Sequence, residues 1–279
     1  MKKNKLIINL APTGMVPFKK DNPNVPIQPN EIADQVLECS KLGVSMVHLH
    51  ARDKKGIPST EKNIYSEIIK KIRKYNKDIV IVTSTSGRKK KDFESRTDVL
   101  NLKKQLKPDM ASLTMSSLNF KNQESLNSPE MIIKIIKKMK KNNIKPEIEI
   151  FDIGMLNFTN YLIKKKLLTP PFFINIILGN IASAQFDFVT LGNLLTNIPK
   201  HSIVSFGGIG KSQIQSTLAA LAMSGIKGIR IGLEDNLINY NNNKLISNYE
   251  LVKQINEICK ILDIQLVSPK ELRKMLNLN

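Results

Sequence analysis

Two of the three histidines in the chain, His48 and His50, lie two positions apart in the segment 46–56. This segment begins apolar and ends in a charged turn that contains glycine, which predicts a strand running out into a loop. Residues two apart on a strand point to the same face, so we expect both imidazoles to project side by side near its end. Paired neutral imidazoles suit Zn²⁺ or a similar divalent ion, which needs a third ligand and an open position for chemistry. In the alternative interpretation, one histidine is buried and hydrogen-bonded while the other lines a pocket.

Three charged residues late in the chain, Arg230, Glu234 and Asp235, lie at and just after the end of another predicted strand. In a closed barrel the last strand lies beside the first, which places this run close to the histidines. If the extended backbone continues, Arg230 and Glu234 share a face, and Glu234 can complete a site of two histidines and one carboxylate. Such a site leaves a divalent ion net positive and able to polarise a carbonyl group. The alternative is that residues 234–236 only cap the following turn.

Further polar residues and glycines follow other predicted strands, and these are candidates for ligand binding. Ser84, Ser112 and the pair Thr13-Gly14 stand at three such ends. Gly207 and Gly208 open a glycine-rich stretch before a predicted helix, and loop amides at a helix N-terminus favour phosphate. The glycines could equally make a tight turn. Glu149 and Asp152 could orient the ligands of a site or pair with lysines, and the sequence does not decide between these roles.

The elements that must position these residues alternate regularly along the chain. Eight apolar, β-branched runs predict strands, at residues 6–10, 44–50, 79–83, 110–113, 147–151, 172–178, 202–206 and 228–231. Between and after them lie amphipathic segments that predict helices, at residues 30–42, 61–74, 92–105, 129–142, 156–166, 182–195, 212–223 and 248–262. This alternation predicts an α/β fold of parallel strands, a (β/α)₈ TIM barrel formed as one domain by residues 1–279. An open doubly wound sheet is the alternative, but no glycine-rich fingerprint follows the first strand.

The charge balance is strongly basic, with 43 Lys and Arg against 24 Asp and Glu. The lysines are scattered among Ile and Leu at helical spacing, which is typical of solvated helix faces. Aromatic residues make up 5% of the chain and Trp is absent, so no basic stripe carries aromatics for base stacking, and we expect no nucleic-acid partner. The two cysteines predict reduced, packed thiols. No apolar stretch reaches the length of a signal core or a membrane span, so we expect a cytoplasmic protein without a membrane partner.

Four stretches together resemble the β-keto acid cleavage enzymes, in order over essentially the whole chain. They are residues 48–53, Thr13-Gly14 with 23–29, residues 110–113 with 118–120, and residues 230–236. The resemblance implies a zinc-containing (β/α)₈ barrel that assembles as a homotetramer. It implies that a β-keto acid condenses with acetyl-CoA as co-substrate to give acetoacetate and an acyl-CoA.

The resemblance also implies roles for individual residues. His48, His50 and Glu234 would hold the metal, Asp235 would be the general base, and Arg230 would orient it. Ser84 and Ser112 would bind the keto acid. A family member that acts on 3-keto-5-aminohexanoate has Thr where Ser112 stands, so the hydroxyl is kept. Thr13 and Gly14 are further substrate-binding candidates, and Gly207 and Gly208 are candidates for the phosphates of the co-substrate.

One position departs from that family member. The family member that acts on 3-keto-5-aminohexanoate has an acidic residue in the first loop, which recognises the ammonium of the substrate. Val16 stands at the matching position of this chain. A buried ammonium without a partner is costly, so we expect no selectivity for 3-keto-5-aminohexanoate and a neutral or apolar tail on the substrate instead. The alternative enzyme is a divalent-metal aldolase or hydrolase that acts on a small keto acid without CoA. The alternative outside enzymes is a polyanion-binding protein.

Overall fold

The structure is a computed structural model, and it describes residues 5–278. The elements follow one another along the chain as β1 (Lys5–Leu10), α1 (Pro29–Ser40), β2 (Met46–Leu49), β3 (Ala51–Arg52), β4 (Pro58–Ser59), α2 (Lys62–Tyr75), β5 (Val80–Thr83), α3 (Phe93–Thr97), the 3₁₀ turns Asp98–Asn101 and Lys104–Leu106, β6 (Met110–Thr114), β7 (Leu118–Phe120), β8 (Gln123–Ser125), α4 (Pro129–Lys141), β9 (Lys145–Ile150), α5 (Ile153–Lys164), β10 (Phe172–Leu178), α6 (Phe188–Thr196), β11 (Ser202–Gly208), α7 (Ser212–Ala222), β12 (Ile226–Ile231), α8 (Asn248–Ile261), β13 (Gln265–Leu266) and α9 (Pro269–Met275).

Eight of these strands form a closed parallel barrel, in the order β1, β2, β5, β6, β9, β10, β11 and β12. The barrel closes because β12 pairs with β1, with Ile7 opposite Gly228 and Leu10 opposite Ile231. The predicted (β/α)₈ barrel is therefore confirmed, and the open doubly wound sheet is wrong. Strand β10 is buried along its whole length, as its continuous apolar sequence predicts for a strand covered on both faces.

The N-terminal end of the barrel is sealed by α9, a helix that the sequence analysis missed. Its Leu272 and Leu276 pack against inward-facing side chains near the start of the strands, a cluster that includes Ile7, Met46 and Phe173. This end of the barrel is thus a packed apolar core, which leaves the opposite end for polar residues.

The predicted continuous helix at 92–105 is wrong. Helix α3 ends at Thr97, and two 3₁₀ turns follow it. Lys104 has a φ of 53°, which lies in the left-handed region and cannot continue a right-handed helix. Amphipathic spacing alone carries no information about this backbone reversal.

Two short antiparallel ribbons lie after β2 and β6, at the C-terminal end of the barrel. One joins β3 to β4 and the other joins β7 to β8.

Asp152 caps α5 by accepting a hydrogen bond from the Met155 amide at 2.9 Å. Of the two acids considered after the fifth predicted strand, Glu149 is therefore the one that faces the barrel mouth. Within residues 5–278, the helices are all too short or too polar to cross a bilayer.

Candidate active site

His48 and His50 lie side by side at the C-terminal end of β2, and both are buried. Their ring centroids are 5.2 Å apart. Glu234 reaches them from the loop after β12, with its Oε1 3.2 Å from Nε2 of His50. The three residues offer ligand atoms that lie within 4.8 Å of one another. The structure therefore brings together the two imidazoles and the carboxylate that the sequence places 184 residues apart, counted from His50 to Glu234.

His48 is held by a carboxylate that sequence reasoning missed. Oε2 of Glu147, on β9, lies 2.6 Å from Nδ1 of His48. The other oxygen of Glu147 accepts hydrogen bonds from Asn9 at 2.7 Å and Asn175 at 3.3 Å. Burial opposes ionisation of this group, but the contact with His48 keeps the pKa of Glu147 below its ordinary value. A carboxylate on Nδ1 fixes the tautomer of His48 and leaves Nε2 for a metal, as in many zinc sites.

Glu234 has one oxygen that protein groups do not satisfy. Its Oε1 is 2.8 Å from Nη2 of Arg230, whereas its Oε2 is buried and has no hydrogen-bond partner among the described residues. Burial opposes ionisation, but Arg230 and the two histidines hold the pKa of Glu234 well below its ordinary value. An ionised carboxylate oxygen without a partner is costly, and a divalent cation beside it removes that cost. The residues therefore fit a divalent cation, such as the zinc ion that the family resemblance implies.

Arg230 is the centre of an ion-pair network around this site. Its Nε lies 2.7 Å from Oδ2 of Asp235, and its Nη1 lies 3.2 Å from Oε1 of Glu149. Thr114 donates a hydrogen bond to the other oxygen of Glu149 at 2.7 Å. Burial raises the pKa of Asp235, Arg230 opposes this rise, and Glu234 adds to it. Asp235 is thus a carboxylate held in a fixed orientation beside the candidate metal ligands, a geometry suited to a general base.

A small cavity opens at these residues, and both predicted serines line it. Oγ of Ser84 accepts a hydrogen bond from the Ser86 amide and Oγ of Ser112 accepts one from the Thr85 amide, each at 3.2 Å. Each hydroxyl can still donate its own hydrogen to a ligand. A larger groove of about 1080 Å³ lies at the N-terminal end of the barrel, but lysines and arginines dominate its lining and it contains none of the predicted site residues.

The four other predicted binding residues lie outside the cavity lining. Thr13 is buried, and its hydroxyl has no hydrogen-bond partner within the part of the chain that the structure describes. Gly14 packs against the side chain of Glu234. Gly207 and Gly208 are the last residues of β11, and a Cβ on Gly208 would lie 2.3 Å from backbone atoms of Ser212. Close packing of α7 against β11 therefore accounts for Gly208, and the phosphate role of the two glycines stays a prediction.

The profile of one family, described as beta-keto acid cleavage enzyme, matches residues 5–278. The chain belongs to this family. A relative from Fusobacterium nucleatum, named 3-keto-5-aminohexanoate cleavage enzyme, is 32% identical over 98% of each chain. A relative from Cupriavidus necator, named 3-oxoadipate:acetyl-CoA acetyltransferase, is 30% identical over 98% of this chain and 94% of its own length.

A solved structure shares the barrel architecture of this family member. The apo structure of ObcA superposes with a TM-score of 0.81 at 18% sequence identity, and the match covers 92% of this chain and 66% of that one. At this level of identity the likeness concerns the fold alone.

The first loop of this family member is fastened by Arg52, a buried residue of β3. Its guanidinium donates hydrogen bonds to the carbonyls of Gly14, Pro17 and Gly56. Val16, between two of these anchors, is 53% exposed and lies outside the cavity lining. Arg52 therefore acts as a fixed support for the loop, and the loop exposes the apolar side chain of Val16.

We expect the substitution Gly14→Ala to lower metal affinity. A Cβ at position 14 would lie 2.4 Å from Cγ of Glu234, so the ligand side chain has to move. A displaced carboxylate ligand should weaken zinc binding by about tenfold or more, measured by competition with a chromophoric chelator. Gly192→Ala in α6 is the matched control, because a Cβ there meets no atom within 4 Å. Equal zinc affinities in the two variants would show that Glu234 is not held by this contact.

Proposed function

We propose that this protein is a zinc-dependent β-keto acid cleavage enzyme that uses acetyl-CoA as acceptor and releases acetoacetate and an acyl-CoA. The observation that carries the proposal is the convergence of His48, His50 and Glu234 beside the Arg230–Asp235 pair. The family membership and the acetyl-CoA-dependent activity in the name of the Cupriavidus relative support the acceptor.

The atom balance of this exchange identifies the proton that a base must remove. A keto acid R–CO–CH₂–COO⁻ and CH₃–CO–SCoA become R–CO–SCoA and CH₃–CO–CH₂–COO⁻. First, C2 of the keto acid forms a bond to the acetyl carbonyl carbon, and the CoA thiolate leaves. The thiolate then attacks the C3 carbonyl carbon, and the C2–C3 bond breaks. C2 must therefore lose a proton before its bond to the acetyl carbon forms, and it must regain a proton after the C2–C3 bond breaks.

The residues of the site match this requirement. Bound zinc would supply Lewis-acid stabilisation of negative charge at the ketone oxygen of the keto acid. Asp235 takes the proton from C2 and returns it, and Arg230 holds Asp235 in place through contacts at 2.7 and 3.2 Å. Ser84 and Ser112 donate hydrogen bonds to the keto acid from the cavity wall. Thr13 and Gly14 are proposed as further substrate-binding residues, and Gly207 and Gly208 are proposed to face the phosphates of acetyl-CoA.

We expect the enzyme to disfavour 3-keto-5-aminohexanoate. Val16 offers no charge to an ammonium group, so an ammonium tail that reaches the first loop gains no ion pair to offset the hydration it loses there. With saturating acetyl-CoA, kcat/KM for 3-oxohexanoate should exceed that for the amino compound by about tenfold or more, a difference measured from acyl-CoA formation. Val16→Glu is the paired variant, and it should shift the ratio towards the amino compound.

The same assay tests the proposed reaction. Omission of acetyl-CoA should abolish consumption of every keto acid, and undiminished consumption would instead support a metal-dependent aldolase or hydrolase. Clear preference of the wild-type enzyme for 3-keto-5-aminohexanoate would contradict the specificity proposal while leaving the reaction class intact. A homotetramer and a cytoplasmic location belong to the same proposal and rest on the family resemblance.

A further inference from the structure

Arg88 lies in the loop after β5, and its side chain lines the same cavity as His50 and Ser84. Its guanidinium carbon stacks 3.5 Å from the ring centroid of Phe120, on strand β7. Phe120 in turn packs edge-to-face against Phe151, at 5.8 Å between centroids. The β7–β8 ribbon therefore supports a planar cation at the wall of the active site.

Arg88 differs from the other arginines near the site. Arg52 donates only to backbone carbonyls, and Arg96 donates to Thr85, Leu126 and Asn127. Arg230 is paired with carboxylates. The guanidinium of Arg88 makes no hydrogen bond or ion pair with any of residues 5–278. Its stacked face is covered, but the donors along its edge are free to meet a ligand.

The chemistry of such a group selects one class of ligand. A planar guanidinium presents a fork of N–H donors that matches a carboxylate with two parallel hydrogen bonds. Burial lowers the pKa of Arg88, and Glu234, Glu149 and Asp235 oppose this effect from across the cavity. A carboxylate placed between the arginine and the metal site would offset the cost of desolvating the cation. The same positive charge disfavours an ammonium group nearby, in agreement with the specificity expected from Val16.

We propose that Arg88 binds a carboxylate of the β-keto acid and thereby contributes to substrate specificity, an inference that rests on the proposed function. The carboxylate has two possible sources. Every β-keto acid carries one at C1, and a dicarboxylic β-keto acid carries a second one at the far end of its tail. Both sources present the same two oxygens to the guanidinium, so the experiment must separate them.

Binding of two simple probes to the zinc-loaded enzyme, without acetyl-CoA, separates these sources. Acetoacetate has one carboxylate and 3-oxoglutarate has two, and calorimetry gives a Kd for each. In Arg88→Met, loss of a paired charge-assisted contact should weaken binding by about 10- to 100-fold. If Arg88 holds the C1 carboxylate, both probes weaken alike. If it holds the distal carboxylate, only 3-oxoglutarate weakens.

Two further variants complete the test. Lys89→Met is the matched control, because it removes the same charge from the exposed neighbouring residue and should change neither Kd. Arg88→Lys keeps the charge but loses the fork of N–H donors, so it should bind the probes with intermediate affinity. It replaces Arg88→Met in the test if that variant does not fold. Unchanged Kd values in the Arg88 variants would overturn the proposal, as would an increase confined to the KM of acetyl-CoA or a wild-type enzyme that binds neither probe.

The outcome is separable from that of the proposed function. Wild-type enzyme that binds the probes through Arg88 but forms no acyl-CoA would refute the reaction and leave the carboxylate site standing. Turnover that proceeds normally in Arg88→Met, with unchanged affinity for both probes, would refute the carboxylate site and leave the reaction standing.

Discussion

The substitution Asp235→Asn should lower kcat by about a thousandfold or more and leave the zinc content unchanged. Asn keeps the shape of the side chain and can still accept a hydrogen bond from Nε of Arg230, which lies 2.7 Å from Oδ2 in the wild type. It cannot accept the C2 proton of the keto acid. The steady-state rate of acyl-CoA formation and the zinc content by atomic absorption give the two readouts.

Asp152→Asn is the matched control for this variant. Asp152 caps α5 through the Met155 amide, and Asn is an equally good cap, so activity and zinc content should both stay at the wild-type level. An Asp235→Asn enzyme that keeps more than about a tenth of wild-type kcat would remove Asp235 from the role of base, given the usual size of general-base effects. Loss of zinc in that variant would show that Asp235 supports the ligands instead.

The barrel and the grouping of His48, His50 and Glu234 were predictable because each follows from a local pattern. Short apolar runs that alternate with amphipathic segments predict parallel strands, and β10 has the predicted bounds Phe172–Leu178. The two-residue spacing of His48 and His50 places them on one side of the chain. Position at the C-terminal ends of strands then selects Glu234, Asp235, Ser84 and Ser112 as partners, without knowledge of any distance.

The predicted backbone conformation between Arg230 and Glu234 is wrong. A shared face for Arg230 and Glu234 requires extended backbone between them, but β12 ends at Ile231. Gly232 has a φ of 142°, and a Cβ there would lie 2.1 Å from the carbonyl oxygen of Ala11. The chain therefore turns tightly against the first loop, and Glu234 folds back to 2.8 Å from Arg230. Only this glycine signalled the turn, and glycine is too common at loop starts to decide its geometry.

Glu147 could not have been assigned from the sequence, because its role depends on three distant strands. It shares β9 with Glu149, so two carboxylates alternate with two isoleucines over residues 147–150, and this was the only local signal. Its partners Asn9 and His48 lie 138 and 99 residues away. Their convergence follows from the register of the closed barrel, which a single sequence does not contain.

The substitution His48→Ala should abolish both zinc binding and turnover. The site then keeps one imidazole and one carboxylate, and two ligands hold zinc far more weakly than three. The buried Glu147 also loses its contact at 2.6 Å, so the variant should be less stable than the wild type even without metal. Zinc should raise the Tm of the wild-type enzyme above that of the chelator-treated enzyme, and it should leave the Tm of His48→Ala unchanged, because only binding to the folded state is stabilising.

His201→Asn is the control for a general effect of histidine removal. His201 is exposed and has a φ of 64°, a conformation that Asn tolerates well, so this variant should keep its zinc-dependent rise in Tm and its activity. An active His48→Ala enzyme with full zinc content would refute the metal site. An inactive His48→Ala enzyme that still binds zinc would instead place the ion elsewhere and leave His48 as a residue that acts on the substrate directly. The combination of zinc content, zinc-dependent Tm and kcat therefore separates loss of the metal from loss of the chemistry.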